Sequence, residues 1–350
     1  MDLSMKKYGL TDRIAALAAM YPGLTLGRII SQEKGLYRLV TEQGEKLGEV
    51  SGKFRYQAVT ASDFPAVGDF VMVDRNDAGG NAIIQTVLHR KSCFTRKAAG
   101  DARQEQIVAA NIDTVFICMS VNNDFNLRRL ERYLSIAWDS GAVPVIVLTK
   151  SDLCDDTDRK LSEVSSIAIG VDILLTSALA QDGYMQVLPY ITEGKTVAFI
   201  GSSGVGKSTL INCLLGQHRL DTNGLRNDDK GRHTTTHREL ILLPGGGMVI
   251  DTPGMRELGM WDSEAGIDQT FGEIEALASQ CRFSDCTHHN EPGCAIQKAL
   301  QEGTLSGARW LSYRKLKTEN SFAADSQSYL ANKEKKFKEI AKINRNNRKR

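Results

Sequence analysis

The run Gly201-Ser202-Ser203-Gly204-Val205-Gly206-Lys207-Ser208 fits the pattern G-x-x-x-x-G-K-[ST]. Glycines let the backbone fold round a phosphate so that successive N–H groups point inward. The lysine adds charge against the β- and γ-phosphates, and the serine hydroxyl can ligate Mg²⁺. The context suits this chemistry: an apolar strand is expected over 196–200 and a helix from Lys207, with Thr209 in its first turn. Asp251-Thr252-Pro253-Gly254 ends a second apolar run, where Asp251 could hold the metal through water and the Gly254 N–H could meet the γ-phosphate.

Two further runs lie upstream. Thr149-Lys150-Ser151-Asp152 ends the expected strand 144–148, and Thr176-Ser177-Ala178 ends the expected strand 172–175. An aspartate such as Asp152 can accept from guanine N1–H and its 2-amino group together, a donor pair adenine lacks, and charged bidentate contacts select strongly. Lys150 would pack along the purine, while Ser177 and Ala178 would support the base edge. Thr149 stands where many GTPases have asparagine and still supplies a side-chain oxygen. In ordinary GTPases the base-reading runs follow the phosphate loop; here they precede it. The four runs together imply a GTP site with Mg²⁺ in a circularly permuted chain.

Gly231-Arg232-His233-Thr234-Thr235-Thr236 falls between the phosphate loop and Asp251, where a loop closing over γ-phosphate and Mg²⁺ is expected. One threonine must complete the metal shell; spacing to the next strand favours Thr236 over Thr235. Met255 follows Gly254 where Ras-like enzymes carry a water-orienting glutamine, and a thioether cannot orient water. Hydrolysis must then use another group. His233 in the closing loop is the candidate, the alternative being a surface histidine without a role.

Cys281-x₄-Cys286-x-His288-x₅-Cys294 offers three thiolates and an imidazole within 14 residues, a set suited to closed, structural, tetrahedral zinc. His289 is a competing ligand. Among the other cysteines, Cys118 and Cys213 lie in apolar segments and read as buried reduced thiols.

The elements that must hold these residues can be read more coarsely. Five short β-like runs between 24 and 92 suggest a small closed barrel, an OB-fold or else an SH3-like barrel. Lys53, Arg55, His89, Arg90, Lys91, Arg96 and Lys97 cluster at its edges, a rim suited to nucleic acid but common on soluble barrels too. From 107 to 260, strands alternate with helices, including one over 126–140 capped by Asn126, which implies a parallel sheet covered on both faces. The expected organisation is a helical segment over 1–23, a barrel over 24–100, the GTPase domain over 107–260, a helical zinc domain over 261–330 and a basic tail over 331–350.

The 350 residues are 41% hydrophobic and 25% charged, as in ordinary soluble proteins. No apolar run approaches the ~20 residues needed to span a bilayer. Asp12 and Arg13 interrupt the apolar stretch after Lys6 and Lys7, so a cytoplasmic chain without a secretory signal is expected. Nine Lys/Arg and two Glu between Lys333 and Arg350 put +7 on the tail and −5 on the rest of a chain of net charge +2. Such a tail is either a solvated end or a contact for an anionic partner, with nucleic acid foremost.

The motif order, the barrel ahead of it and the Cys/His knot behind it resemble the RsgA (YjeQ) family of circularly permuted GTPases. The resemblance covers roughly residues 24–320. It implies an OB-fold, a permuted P-loop GTPase domain and a helical zinc-binding domain. It further implies action late in maturation of the small ribosomal subunit, with GTP hydrolysis stimulated by that subunit. A monomer that binds the subunit and its rRNA with GTP bound, and leaves on hydrolysis, is expected of such a chain. In that family the histidine matching His233 is thought to act in hydrolysis. Two other readings of the chain are a GTP-regulated RNA-binding module with little turnover and a permuted GTPase acting on another RNA.

Overall fold

The computed structural model of the chain describes residues 4–33, 35–74, 80–98, 101–122, 124–177, 180, 183–217, 238–251 and 264–321. After a 3₁₀ turn at Met5–Tyr8 comes helix α1 (Asp12–Ala19), capped by the Thr11 hydroxyl. Five strands follow: β1 (Thr25–Glu33), β2 (Leu36–Thr41), β3 (Gly44–Val50), β4 (Phe70–Asp74) and β5 (Ala82–Val87). They pair in the order β1-β2-β3-β5-β4 and close β4 back on β1. The parallel β3–β5 pairing follows the five-stranded OB route rather than an SH3-like one. Ile29, Leu39, Val71 and Ile84 fill the interior. The short helix α2 (Gly52–Gln57) carries Lys53, Arg55 and the 83% exposed Tyr56 on the barrel's surface.

The basic rim is smaller than the sequence suggests. Arg90 is an internal strut: its guanidinium bonds both oxygens of the buried Asp69, at 2.7 and 2.8 Å, and the Ser62 and Phe64 carbonyls. Lys91 pairs with Asp113 at 2.6 Å. Arg96 and Lys97 lie outside the barrel's sheet, on a two-stranded ribbon of β6 (Cys93–Ala98) and β7 (Asp101–Ala110). No strand is expected there from sequence, because its charged centre reads as a loop.

The second half of the described chain builds a sheet from β8 (Thr114–Ser120), β9 (Val143–Thr149), β10 (Asp172–Leu175), β11 (Thr196–Ile200), β12 (Arg238–Leu242) and β13 (Met248–Asp251), ordered β10-β9-β8-β11-β13-β12. Five are parallel, but β12 runs antiparallel to β13. This corrects the wholly parallel sheet expected above. Residues 243–247 are too few for a crossover and permit only a hairpin. Alternate residues of β8 serve opposite faces: Val115, Ile117 and Met119 join one core, Phe116 and Cys118 the other. Helix α3 (Leu127–Ser140) lies on the first face with Asn126 capping it as expected, α4 (Thr157–Ser165) also contributes there, and α5 (Lys207–Leu215) covers the second.

A contact absent from the sequence reading joins the halves. Strand β12 also pairs with β1, setting Ser31 opposite Glu239 and Gln32 opposite Arg238, so barrel and GTPase strands form one continuous sheet. Beside this seam Arg28 is 1% exposed. It donates to the carbonyls of Tyr8 (2.5 Å) and Gly68 (3.3 Å) and to Thr196 Oγ1 (2.8 Å), and it covers the Phe70 ring. Burial pulls its pKa down to about 10 against the attraction of Asp113 and Asp69, so it stays charged at neutral pH. Arg28→Met should orphan these acceptors and lower stability by roughly 3 kcal/mol, read from a denaturant midpoint; an unchanged midpoint would show that the seam holds without it.

Helices α6 (Glu264–Thr270), α7 (Gly272–Ala278), α8 (Ala295–Glu302) and α9 (307–321) form the C-terminal unit. It seats on α3, where Gly266 matters because a Cβ there would run into the Ser135 carbonyl. The fully buried Glu131 of α3 accepts from Arg309 Nη1 (2.7 Å), Ser312 Oγ (2.5 Å) and Arg128 Nη1 (2.5 Å).

Candidate functional site

Parallel strands bring their C-terminal ends to one edge of a sheet, where open α/β proteins bind ligands. Here that edge collects residues 149–152 after β9, Thr176 and Ser177 after β10, the loop 201–206 after β11 and Asp251 at the end of β13. The runs scattered over 100 residues of sequence therefore meet.

The phosphate loop has the backbone its glycines permit. Gly201, Gly204 and Gly206 have φ of +143°, +76° and +101°, a region L-residues seldom occupy. A Cβ at Gly201 would also collide with the Cys118 carbonyl. Val205 is buried and anchors the loop, Ser203 and Gly204 are exposed, and Ser208 and Thr209 are half-buried in the first turn of α5. Lys207 Nζ donates to the Gly201 and Ser202 carbonyls at 2.7 and 2.5 Å. Beneath the loop Cys118 is a buried thiol as expected, its pKa pushed up to about 12 by desolvation. Cys213 is only half-buried.

The upstream run is tied to this loop by two bonds that sequence alone does not reveal. Thr149 Oγ1 donates to the Val205 carbonyl at 2.5 Å, and Lys150 Nζ donates to the Gly204 carbonyl at 2.7 Å. Lys150 adopts a left-handed φ of +59° at the turn out of β9. Ser151 Oγ donates to the Thr176 carbonyl at 3.2 Å. Asp152 is exposed and accepts from the buried Ser177 hydroxyl at 2.5 Å through Oδ1. One carboxylate oxygen is thus fixed while the group as a whole faces outward. Ala178, His233, Thr235, Thr236, Gly254 and Met255 lie outside the described residues.

Two side chains at this edge belong to none of the motifs. Asp124 and Arg129 both bond the Ser202 hydroxyl, at 2.7 and 3.0 Å. A hydroxyl at the second loop position, facing a polar residue before the helix cap, is the signal that sequence reading passes over.

At the other pole, the ligand atoms of Cys281, Cys286, His288 and Cys294 lie within 4.8 Å of one another. Cys281 Sγ and Cys294 Sγ are each 3.5 Å from His288 Nδ1 and 4.0 Å apart. A tetrahedral zinc with bonds of about 2.3 Å to sulfur and about 2.0 Å to nitrogen puts its ligand atoms near ~3.5–3.8 Å apart; both sulfur–nitrogen separations match and the sulfur–sulfur one is slightly wider, so the group could hold such an ion after small side-chain shifts. His289, the competing ligand, is not in the group. The local chain explains the choice. Glu291 accepts from the Thr287 hydroxyl and from the N–H groups of Thr287, His289 and Asn290 (2.8–3.1 Å); its pKa is held at about 2, chiefly by the Thr287 hydroxyl. That clamp lets His288, at φ +60°, turn inward. Gln297 holds the His288 carbonyl at 2.6 Å, and the imidazole meets the Trp310 ring edge-on at 5.7 Å. The N–H groups of Ala295 and Gln297 lie 3.4 Å from Cys281 Sγ and Cys294 Sγ, donors that favour thiolate.

Known proteins resemble the chain along most of its length. A family model described as RsgA GTPase matches residues 87–261. The small ribosomal subunit biogenesis GTPase RsgA 2 of Lactiplantibacillus plantarum is 52% identical over 324 residues, covering 92% of this chain and 91% of that protein. The RsgA of Opitutus terrae is 47% identical over 85% of this chain and 84% of its own. Among solved structures, YjeQ from Thermotoga maritima superposes with a TM-score of 0.62 at 30% identity, over 84% of this chain and 97% of that one. YloQ, described as a circularly permuted GTPase, gives 0.61 at 26% identity, over 87% and 96%. With the base-reading and phosphate-binding runs meeting in reversed order and identity of this extent along nearly the whole chain, the protein belongs to the RsgA GTPase family.

Proposed function

We propose that this GTPase acts in late maturation of the small ribosomal subunit, binding the particle and its rRNA with GTP bound and leaving on hydrolysis to GDP and phosphate. The observation that carries the nucleotide part is the meeting of residues 149–152, Ser177, the 201–208 loop and Asp251 at one sheet edge. The ribosomal part is supported by relatives named for small-subunit biogenesis.

In this reading the N–H groups of Gly201 to Gly206, with Lys207, cradle the phosphates. Ser208, Thr209 and Asp251 serve Mg²⁺ and the phosphate end, joined by Thr235 or Thr236 and Gly254. Asp152 reads guanine, oriented by Ser177, with Lys150 and Ala178 flanking the base and Thr149 and Ser151 bracing the turn. His233 assists hydrolysis in place of the missing glutamine. Cys281, Cys286, His288 and Cys294 hold one structural zinc, leaving no open position for catalysis there. Lys53, Arg55 and Tyr56 on α2 give the barrel an exposed basic and aromatic surface of the kind that meets single-stranded RNA. The basic tail would add phosphate contacts. A monomer in the cytoplasm fits this role, and among the described residues no helix is long and apolar enough to cross a membrane.

The test is the rate of GTP hydrolysis alone, with purified small subunits and with large subunits. A rise of about tenfold or more with small subunits only is expected, since completing a GTPase site in trans can contribute far more than that. Equal rates in all three would remove the ribosomal assignment while leaving the nucleotide site intact.

A further inference from the structure

The start of α3 and the residues before it reach the phosphate loop at Ser202. Ser202 Oγ donates to Asp124 Oδ2 at 2.7 Å and accepts from Arg129 Nη1 at 3.0 Å. The same guanidinium nitrogen is 2.8 Å from each Asp124 oxygen. The carbonyl of Ser202 accepts from Lys207 Nζ at 2.5 Å. Its main chain therefore serves the phosphate lysine, while its side chain is held by two residues outside every nucleotide-binding run. The Asp124 carboxyl is kept below its usual range, first by the Ser202 hydroxyl and then by Arg129, so it remains an acceptor at neutral pH.

The platform behind this contact is tied down by hydrogen bonds. Asn126 caps α3, and the neighbouring residues of its first two turns are pinned by the C-terminal unit: Glu131 by Arg309 and Ser312, Arg128 to the Ala308 carbonyl at 3.3 Å, Arg132 to Glu319 at 2.7 Å. Arg129 projects from that fixed turn onto the loop.

We propose that Asp124 and Arg129 are positioning residues for GTP turnover, acting through Ser202 to fix the phosphate loop. They do not touch the nucleotide in this account; they set where the loop's N–H groups and Lys207 stand. Binding draws on many loop N–H groups and tolerates a small displacement. The chemical step does not, since misplacement by about 1 Å can cost on the order of a hundredfold. The inference rests on the GTPase assignment and is independent of the ribosomal one, so it is tested without ribosomal particles.

Arg129→Ala is expected to lower the single-turnover hydrolysis rate about tenfold while the Kd for GTP moves less than twofold. Arg129→Lys should recover part of that loss, because an ammonium reaches one of the two acceptors as a point donor. Ser202→Ala removes only the hydroxyl and leaves the helix surface intact, so it guards against misfolding of the arginine variant. It should show the same rate loss. The double variant Ser202→Ala/Arg129→Ala should be no slower than either single one, as residues acting along one path are non-additive. Single variants with unchanged rates, or losses that multiply in the double, would overturn the proposal.

Discussion

Asp152→Asn should weaken GTP binding about a thousandfold and admit xanthosine triphosphate in its place. Asp152 Oδ1 already accepts from the buried Ser177 hydroxyl, which fixes the plane of the carboxylate and turns its other lone pairs outward. Guanine offers two donors on that edge, N1–H and the 2-amino group, and an ionised acceptor roughly doubles the strength of such bonds. In the variant the amide oxygen is retained by Ser177, so the NH₂ faces the base and meets the 2-amino group donor to donor. Xanthine carries a carbonyl at that position and restores the pair. Lys150 and Thr149 still brace the phosphate loop through Gly204 and Val205, so phosphate binding persists and the change appears as altered base preference. Competition of GTP, ATP and xanthosine triphosphate against a fluorescent guanine nucleotide reads this directly. An Asp152→Asn variant that still prefers GTP would place base recognition elsewhere.

The sequence was most legible where chemistry imposes residue types at fixed spacing. A phosphate loop requires its glycines and lysine between a strand and a helix, and 196–200 and 207–215 form those elements as expected. The Cys/His cluster is equally readable, since a metal would require four donors within a few ångströms. What the sequence does not reveal depends on contacts distant in the chain. The β1–β12 seam and the buried Arg28 unite residues more than 160 positions apart, and no local pattern marks them. Arg90 and Lys91 looked like a solvated rim because composition cannot show that Asp69 and Asp113 stand opposite them. The hairpin of β12 and β13 is implied by its short connection, which excludes a parallel crossover, even though strands and helices alternate elsewhere in the domain. Asp124 and Arg129 illustrate a third limit, because they act on a motif residue from outside the motif.

Removal of zinc should have the largest effect on stability. Structural zinc contributes on the order of 10 kcal/mol to small modules, more than the remaining contacts of such a loop can replace. Cys294 is 5% exposed and is also the N-cap of α8, so Cys294→Ser would break a ligand set and weaken a helix start together. The damage would not stay local. His288 packs against Trp310 on α9, and α9 also carries Arg309 and Ser312, which satisfy the fully buried Glu131 of α3. Undocking α9 removes Arg309 and Ser312 from that carboxylate and leaves it to Arg128 alone; breaking a buried ion pair costs about 3–5 kcal/mol. Chelation at neutral pH should therefore release one zinc per chain and lower the melting temperature of the whole described fold in a single transition, the GTPase sheet included. Lower pH should ease release, because the thiolates must be deprotonated to hold the ion. Metal analysis with a thermal melt before and after chelation separates the outcomes. Loss of zinc without change in the melt would show that the C-terminal unit stands on its helices alone, and that Glu131 keeps its partners without the knot.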